Sequence, residues 1–248
     1  MHLSTIEQVW HEVIGTQPPP PTTVVLITAA IALLAVLIRN AWTVLRNVVT
    51  VAHEGGHALV ALLVGRRLSG IQLHSDTSGV TVSRGKAHGP GMVATALAGY
   101  LAPSLLGLVY AALLAAGHIT AVLWLSVVLL VAMLILVRNA YGVVSVLITA
   151  AVIFAVSWFT SAAVQAGFAY AFTFFLVVAG IRPVWELQRS RSRGRAPDSD
   201  ADQLARLTRV PGLTWVFLFG LVGVLVLVLT ASWLIPFDSL HQSLTAAH

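Results

Sequence analysis

The amino-acid sequence predicts an all-α polytopic membrane protein, with about seven transmembrane helices and a short β-hairpin after the second. Three observations predict it. Of 248 residues, 58% are hydrophobic and only 9% are charged, with a mean hydropathy of +0.89. A soluble domain carries about 25% charged residues, so there is too little polar surface here to cover a water-soluble fold. The apolar residues gather in continuous runs of about 20, the length a helix needs to cross a bilayer. One interval instead alternates apolar and polar residues around a turn, the pattern of a strand pair. A membrane β-barrel would alternate throughout, in segments of about 10 residues.

The apolar runs lie at about 22–38, 42–65, 92–116, 119–137, 139–157, 160–180 and 212–235. The stretch 119–180 reads as three helices or as two longer ones. Ahead of the first run stand Pro18 to Pro21 and no basic residue, which argues against a cleaved signal peptide. Between Leu68 and Arg84, Ile71 and Leu73, then Val80 and Val82, alternate with polar residues around Ser75-Asp76-Thr77-Ser78-Gly79. That interval is the expected hairpin. Residues 186–211 begin polar and then form a short amphipathic helix at about 200–209, ended by Pro211. No repeat of fixed period and no separate soluble domain is evident, so residues 1–248 read as one domain.

Basic residues set the expected orientation. The loop from Arg182 to Arg209 is rich in arginine and reads as cytoplasmic. With seven spans, the loop 66–91 and Arg138 fall on the same side, leaving only Arg39 and Arg46 of the 14 basic residues outside. The N-terminus is then expected in the cytoplasm and the C-terminus outside. The same distribution accounts for the net charge of +5 by topology and lipid contact, and excludes nucleic acid as the expected partner.

Glu54 is the only acidic residue well inside an expected span. A carboxylate at that depth costs roughly 2.5–3.5 kcal/mol on insertion scales and marks a functional position. It stands in His53-Glu54-Gly55-Gly56-His57, an HExxH motif. Residues four apart share a helical face, so both imidazoles can reach one metal ion. Glu54 projects about 100° from His53, within reach of a water on that ion. Zinc takes such ligands tetrahedrally with one position left for water, whose pKa it lowers to about 7. A neighbouring carboxylate then removes the proton as the water attacks a peptide carbonyl. The chain has no cysteine, so any metal must be held by His and carboxylate. Gly55 and Gly56 provide either space for a close backbone or ordinary small-residue helix packing.

The segment HEGGHALVALLVG resembles the zinc helix of the site-2 protease family of intramembrane metalloproteases, and more closely that family's compact bacterial M50-type branch. The resemblance continues through the hairpin, AGYLAPSLLG (Ala98 to Gly107), RNAYG (Arg138 to Gly142) and SDADQLARLT (Ser199 to Thr208). It covers most of residues 42–235. It implies Zn²⁺ as cofactor, a bacterial plasma membrane as location, and membrane-embedded proteins as substrates cleaved within or beside the bilayer. The family usually supplies its third zinc ligand from Asn-Pro-x-x-Asp-Gly or Leu-Asp-Gly, and neither occurs here.

The third ligand is therefore sought elsewhere. Asn139 lies where the family's aspartate segment would fall, but an amide suits a substrate-binding or supporting hydrogen bond better. Asp200 is the first candidate and Asp202 the second. Against both stands helix capping, with Ser199 as the cap and Asp202 at the third position. Asp76 is better explained as a turn residue. His74, His88 and His118 read as loop histidines, and the hairpin as a strand that a substrate could extend. The expected activity is that of a zinc metalloendopeptidase: His53, His57 and Asp200 bind the metal and Glu54 activates water. The alternatives are a non-catalytic membrane scaffold and an ion or proton transporter that uses the same cluster.

Overall fold

The computed structural model describes residues 6–196 and 198–237. The expected positions of the chain's extreme ends therefore fall outside the described residues. A short helix α1 (Ile6–Ile14) precedes α2 (Thr22–Leu37) and α3 (Arg39–Leu63). Strands β1 (Arg67–Leu73) and β2 (Gly79–Arg84) form an antiparallel pair. There follow α4 (Pro90–Ala115), α5 (Ile119–Leu136), α6 (Ala140–Phe159), α7 (Ala162–Arg191), α8 (Asp200–Thr208) and α9 (Gly212–Leu234). Large apolar side chains such as Leu37, Val128, Ile135, Phe217 and Val228 point outward. In water they would be a liability; against lipid they are the solvent-compatible surface.

Every expected apolar run is helical and the hairpin is present, but the count of seven crossings is not matched. Five helices, α4, α5, α6, α7 and α9, are each long and apolar enough to span. Taken together, α2 and α3 add a sixth, bent by 98° at their junction. The contacts show why the first two runs are not two opposed crossings. Residues before α2 bond to the α4–α5 turn: the Gln17 carboxamide accepts from Ile119 N at 2.8 Å, and Gln17 N donates to Gly117 O at 2.8 Å. That turn lies at the end of the bundle remote from the hairpin, because α5 returns to it: Arg138 N donates to Ile71 O of β1 at 2.9 Å. From this far end α2 runs alongside α7, with Val24 beside Gly167, and Arg182 of α7 donates to Val36 O at its other end.

At that point the chain turns through 98° into α3. The corner is clamped by α7: Trp42 Nε1 donates to Glu186 at 3.1 Å and Arg46 pairs with the same carboxylate at 3.5 Å. Further along, α3 meets the start of α6 and the hairpin turn, where Tyr141 donates to Asn47 at 3.2 Å and Thr50 to Thr77 O at 2.8 Å. Its second half packs antiparallel on α4. Thus residues 15–17 sit at the opposite end of the bundle from the hairpin, and α2 with α3 is a candidate for one broken span. Arg39 and Arg46, expected at the far end, lie instead with the remaining basic residues.

The motif helix has two working faces. Val48, Val51, Ala52, Gly55 and Leu59 line an apolar cavity of about 660 Å³, walled by α4, α5 and α7. His53 and His57 project from the opposite side, two residues or about 200° away from Gly55. The two glycines of the motif have different surroundings. A Cβ at Gly56 would collide with Ala102 and with Ala98 O, whereas one at Gly55 would meet nothing within 4 Å. Close helix approach through small residues is a general packing device in membranes. Gly56→Leu is therefore expected to lower stability by roughly 1–3 kcal/mol through overpacking. Gly55→Ala should be neutral or stabilising by about 0.5–1 kcal/mol through helix propensity. Thermal unfolding of the purified variants in detergent checks both.

Candidate metal centre

Helical pitch puts His53 and His57 on one face of α3, and their Nε2 atoms lie 3.1 Å apart. The Nδ1 atom of His57 is 2.7 Å from Thr95 O of α4. That contact needs the ring proton on Nδ1, so in the neutral ring Nε2 presents its lone pair to the centre. Asp200, the first residue of α8, brings Oδ2 to 3.3 Å from each Nε2. Those three ligand atoms form a group that can hold a metal ion. Beyond the histidines, Asp200 Oδ2 is buried without a hydrogen-bond partner among the described residues.

Room for the group comes from α4. A Cβ at Gly99 would land on the Nε2 atoms of both histidines. Next to it, the Tyr100 ring meets His53 edge-on with centroids 4.8 Å apart, and stacks on Phe219 of α9 at 5.1 Å. The carboxylate of Glu54, only 4% exposed, is engaged by the hairpin: Thr81 Oγ1 donates to Oε2 at 2.6 Å. Gly79 passes so close that a Cβ there would stand 2.6 Å from Glu54 Cγ.

The structure thus brings His53, His57 and Asp200 together and puts other candidates to other uses. Asp202 faces away, pairing with Arg191 at 2.5 Å and accepting from the Ser199 hydroxyl at 2.6 Å. Capping and metal-site geometry, which compete as explanations of the sequence, are met by two different aspartates of one helix. Asn139 spends its amide on β1, donating to Leu73 O at 2.6 Å and accepting from Leu73 N at 3.1 Å. Asp76 is a turn residue that accepts from Ser78 N at 3.0 Å. His118 is hydrogen-bonded to Gly15 O at 3.0 Å, and His74 to Ser78 at 3.2 Å. Sequence reasoning missed Thr81, Gly79, Thr95 and Gly99. The last lies within AGYLAPSLLG, one of the stretches through which the family resemblance continues, and that was the available signal.

These features define a polytopic membrane protein with a half-buried His-His-carboxylate group beside its apolar helices, the class of the membrane metallopeptidases. The chain belongs to the Peptidase M50B-like family, whose model matches residues 26–230, from within α2 to within α9. This is the site-2 protease-type family that the motif helix resembles. Neither the curated proteins nor the solved structures give a match.

Gly99 provides a direct test of the geometry. Gly99→Ala forces a methyl group against both imidazoles, an overpacking cost of about 1–3 kcal/mol. We expect ~10-fold or weaker retention of a divalent metal with unchanged helix content, read by metal analysis after dialysis and by circular dichroism.

Proposed function

We propose that this chain is an intramembrane zinc metalloprotease that hydrolyses peptide bonds of membrane-embedded proteins. The observation that carries the reading is the triangle of Nε2, Nε2 and Oδ2 with sides of 3.1, 3.3 and 3.3 Å. Zinc bonds of about 2.0–2.1 Å in a tetrahedron separate neighbouring donors by about 3.3 Å. Two imidazoles and one carboxylate, with no thiolate, form a donor set of the catalytic kind, which leaves a fourth position open.

His53, His57 and Asp200 would hold the ion. When bound, it supplies a Lewis acid that polarises the scissile carbonyl and acidifies water. Glu54 would take a proton from the attacking water as the water oxygen bonds to the carbonyl carbon. It returns the proton to the amide nitrogen as the C–N bond breaks. The Thr81 hydroxyl fixes the Glu54 carboxylate, and β2 shields it from bulk water. His57, anchored on Thr95 O, keeps its lone pair directed inward. Asn139 serves as a supporting residue that joins β1 to the start of α6.

About one zinc per chain is expected in the purified protein, lost in His53→Ala and Asp200→Ala and kept in Glu54→Gln. Cleavage of single-span reporter fusions in cells should disappear in all three. A scaffold would keep its cellular effect in Glu54→Gln, and a transporter would show ion flux in liposomes that this variant loses. Full zinc content in Asp200→Ala would remove Asp200 from the site.

Orientation follows from charge. Counted along the broken passage, all 14 basic residues lie toward the hairpin end, which the positive-inside rule assigns to the cytoplasm. Residues 15–17 then face outside. The chain lacks cysteine, so single labels are clean. A membrane-impermeant maleimide added to intact cells should modify Thr16→Cys, and should modify His88→Cys only after permeabilisation.

A further inference from the structure

The third arm of the metal centre, α8, has little to hold it by itself. It is a helix of 9 residues, shorter than the length at which isolated helices persist in water. Ala201 and Leu204, both fully buried, dock it against Ala96, Val184, Leu187 and Phe219. That apolar contact fixes its distance from the bundle but only weakly its rotation. Asp200 and Asp202 leave the helix about 200° apart, so whatever fixes Asp202 also aims Asp200.

Asp202 is fixed by Arg191, the last residue of α7. Arg191 Nη1 lies 2.5 Å from Asp202 Oδ1 and 3.5 Å from Ser199 Oγ. The Ser199 hydroxyl donates to Asp202 Oδ2 at 2.6 Å and accepts from Asp202 N at 3.3 Å. The guanidinium lies over Gly212 at the start of α9, where a Cβ would stand 2.7 Å from Nη1. One arginine thus joins the end of α7, the first turn of α8 and the first turn of α9. Both charged side chains are largely covered, 18% and 25% exposed, which reduces solvent screening of the pair.

We propose that Arg191 and Asp202 form the positioning pair of the metal centre: their ion pair sets the rotation of α8 that keeps Asp200 at His53 and His57, and so sets zinc affinity without touching the metal. The inference rests on the zinc reading of that centre. The test is a competition titration of Zn²⁺ against a chelating fluorophore, using the full chain in detergent. Arg191→Ala and Asp202→Gln should each weaken zinc binding ~10–100-fold, the usual effect of residues that orient ligands. Glutamine at this position preserves the capping pattern, so the Asp202→Gln loss reports the charge and not the cap. The double variant should bind as weakly as either single one, because both remove one interaction. Arg191→Lys should recover most of the affinity, and Arg189→Ala, at the exposed neighbour stacked on Trp185, should change nothing.

Melting of the zinc-free protein separates positioning from folding: the affinities should fall while that midpoint stays within the spread of the Arg189→Ala control. Wild-type affinity in Arg191→Ala and Asp202→Gln, or losses that add in the double variant, would overturn the proposal and leave the zinc reading intact. If Arg191→Ala does not fold, Asp202→Gln and Arg191→Lys decide the matter by the same titration. A wild-type chain that binds no zinc would instead overturn the metal reading itself.

Discussion

Three electron-pair donors converge on one point in this structure, away from bulk water. Such an arrangement repels itself unless a positive charge joins it, because buried acceptors cannot satisfy one another. Each is therefore braced from outside. Helical pitch spaces the imidazoles, Thr95 O orients His57, and the absence of a side chain at Gly99 leaves the room. Asp200 comes from a different part of the chain, on a helix docked by its own apolar face. Much of the fold near the hairpin end serves to keep these groups facing inward.

The bend between α2 and α3 organises that end. Because α3 turns away from α2 by 98°, it touches the ends of α6 and α7 before packing along α4. One face then belongs to the polar chemistry and the other to the apolar cavity. The hairpin lies over the polar face, with Thr81 and Gly79 against Glu54. Glu186, Trp42 and Arg46 hold the corner where this geometry begins.

Hydrophobic length made the helices legible, and alternation made the hairpin legible. Neither reports direction. The first run forms a helix of 16 residues, about 24 Å long and short of the roughly 30 Å bilayer core; only its contacts with α7 reveal that it continues into α3. The alternation of β2 was visible, but its inward side was not. Val80 and Val82 are 49% and 45% exposed, while Thr81 and Gly79 face α3, because here a carboxylate and not an apolar core waits beneath the strand. The HExxH spacing carried the histidines on its own. The third position was ambiguous because Asp200 and Asp202 both suit the start of a helix, and which one turns toward α3 depends on contacts made only in the fold, the burial of Ala201 and Leu204 and the pairing of Asp202 with Arg191. The pairing of Asn139 with Leu73 depends on β1 reaching α6, which local sequence does not encode.

The order in which these parts appear during synthesis has its own consequence. The two histidines and Glu54 are made early, whereas Asp200 follows after more than half of the remaining chain. Translation proceeds from the N-terminus at roughly 5–20 residues per second. A nascent chain already threaded into the bilayer would thus carry an unfinished centre until the segment beyond α7 emerges from the ribosome.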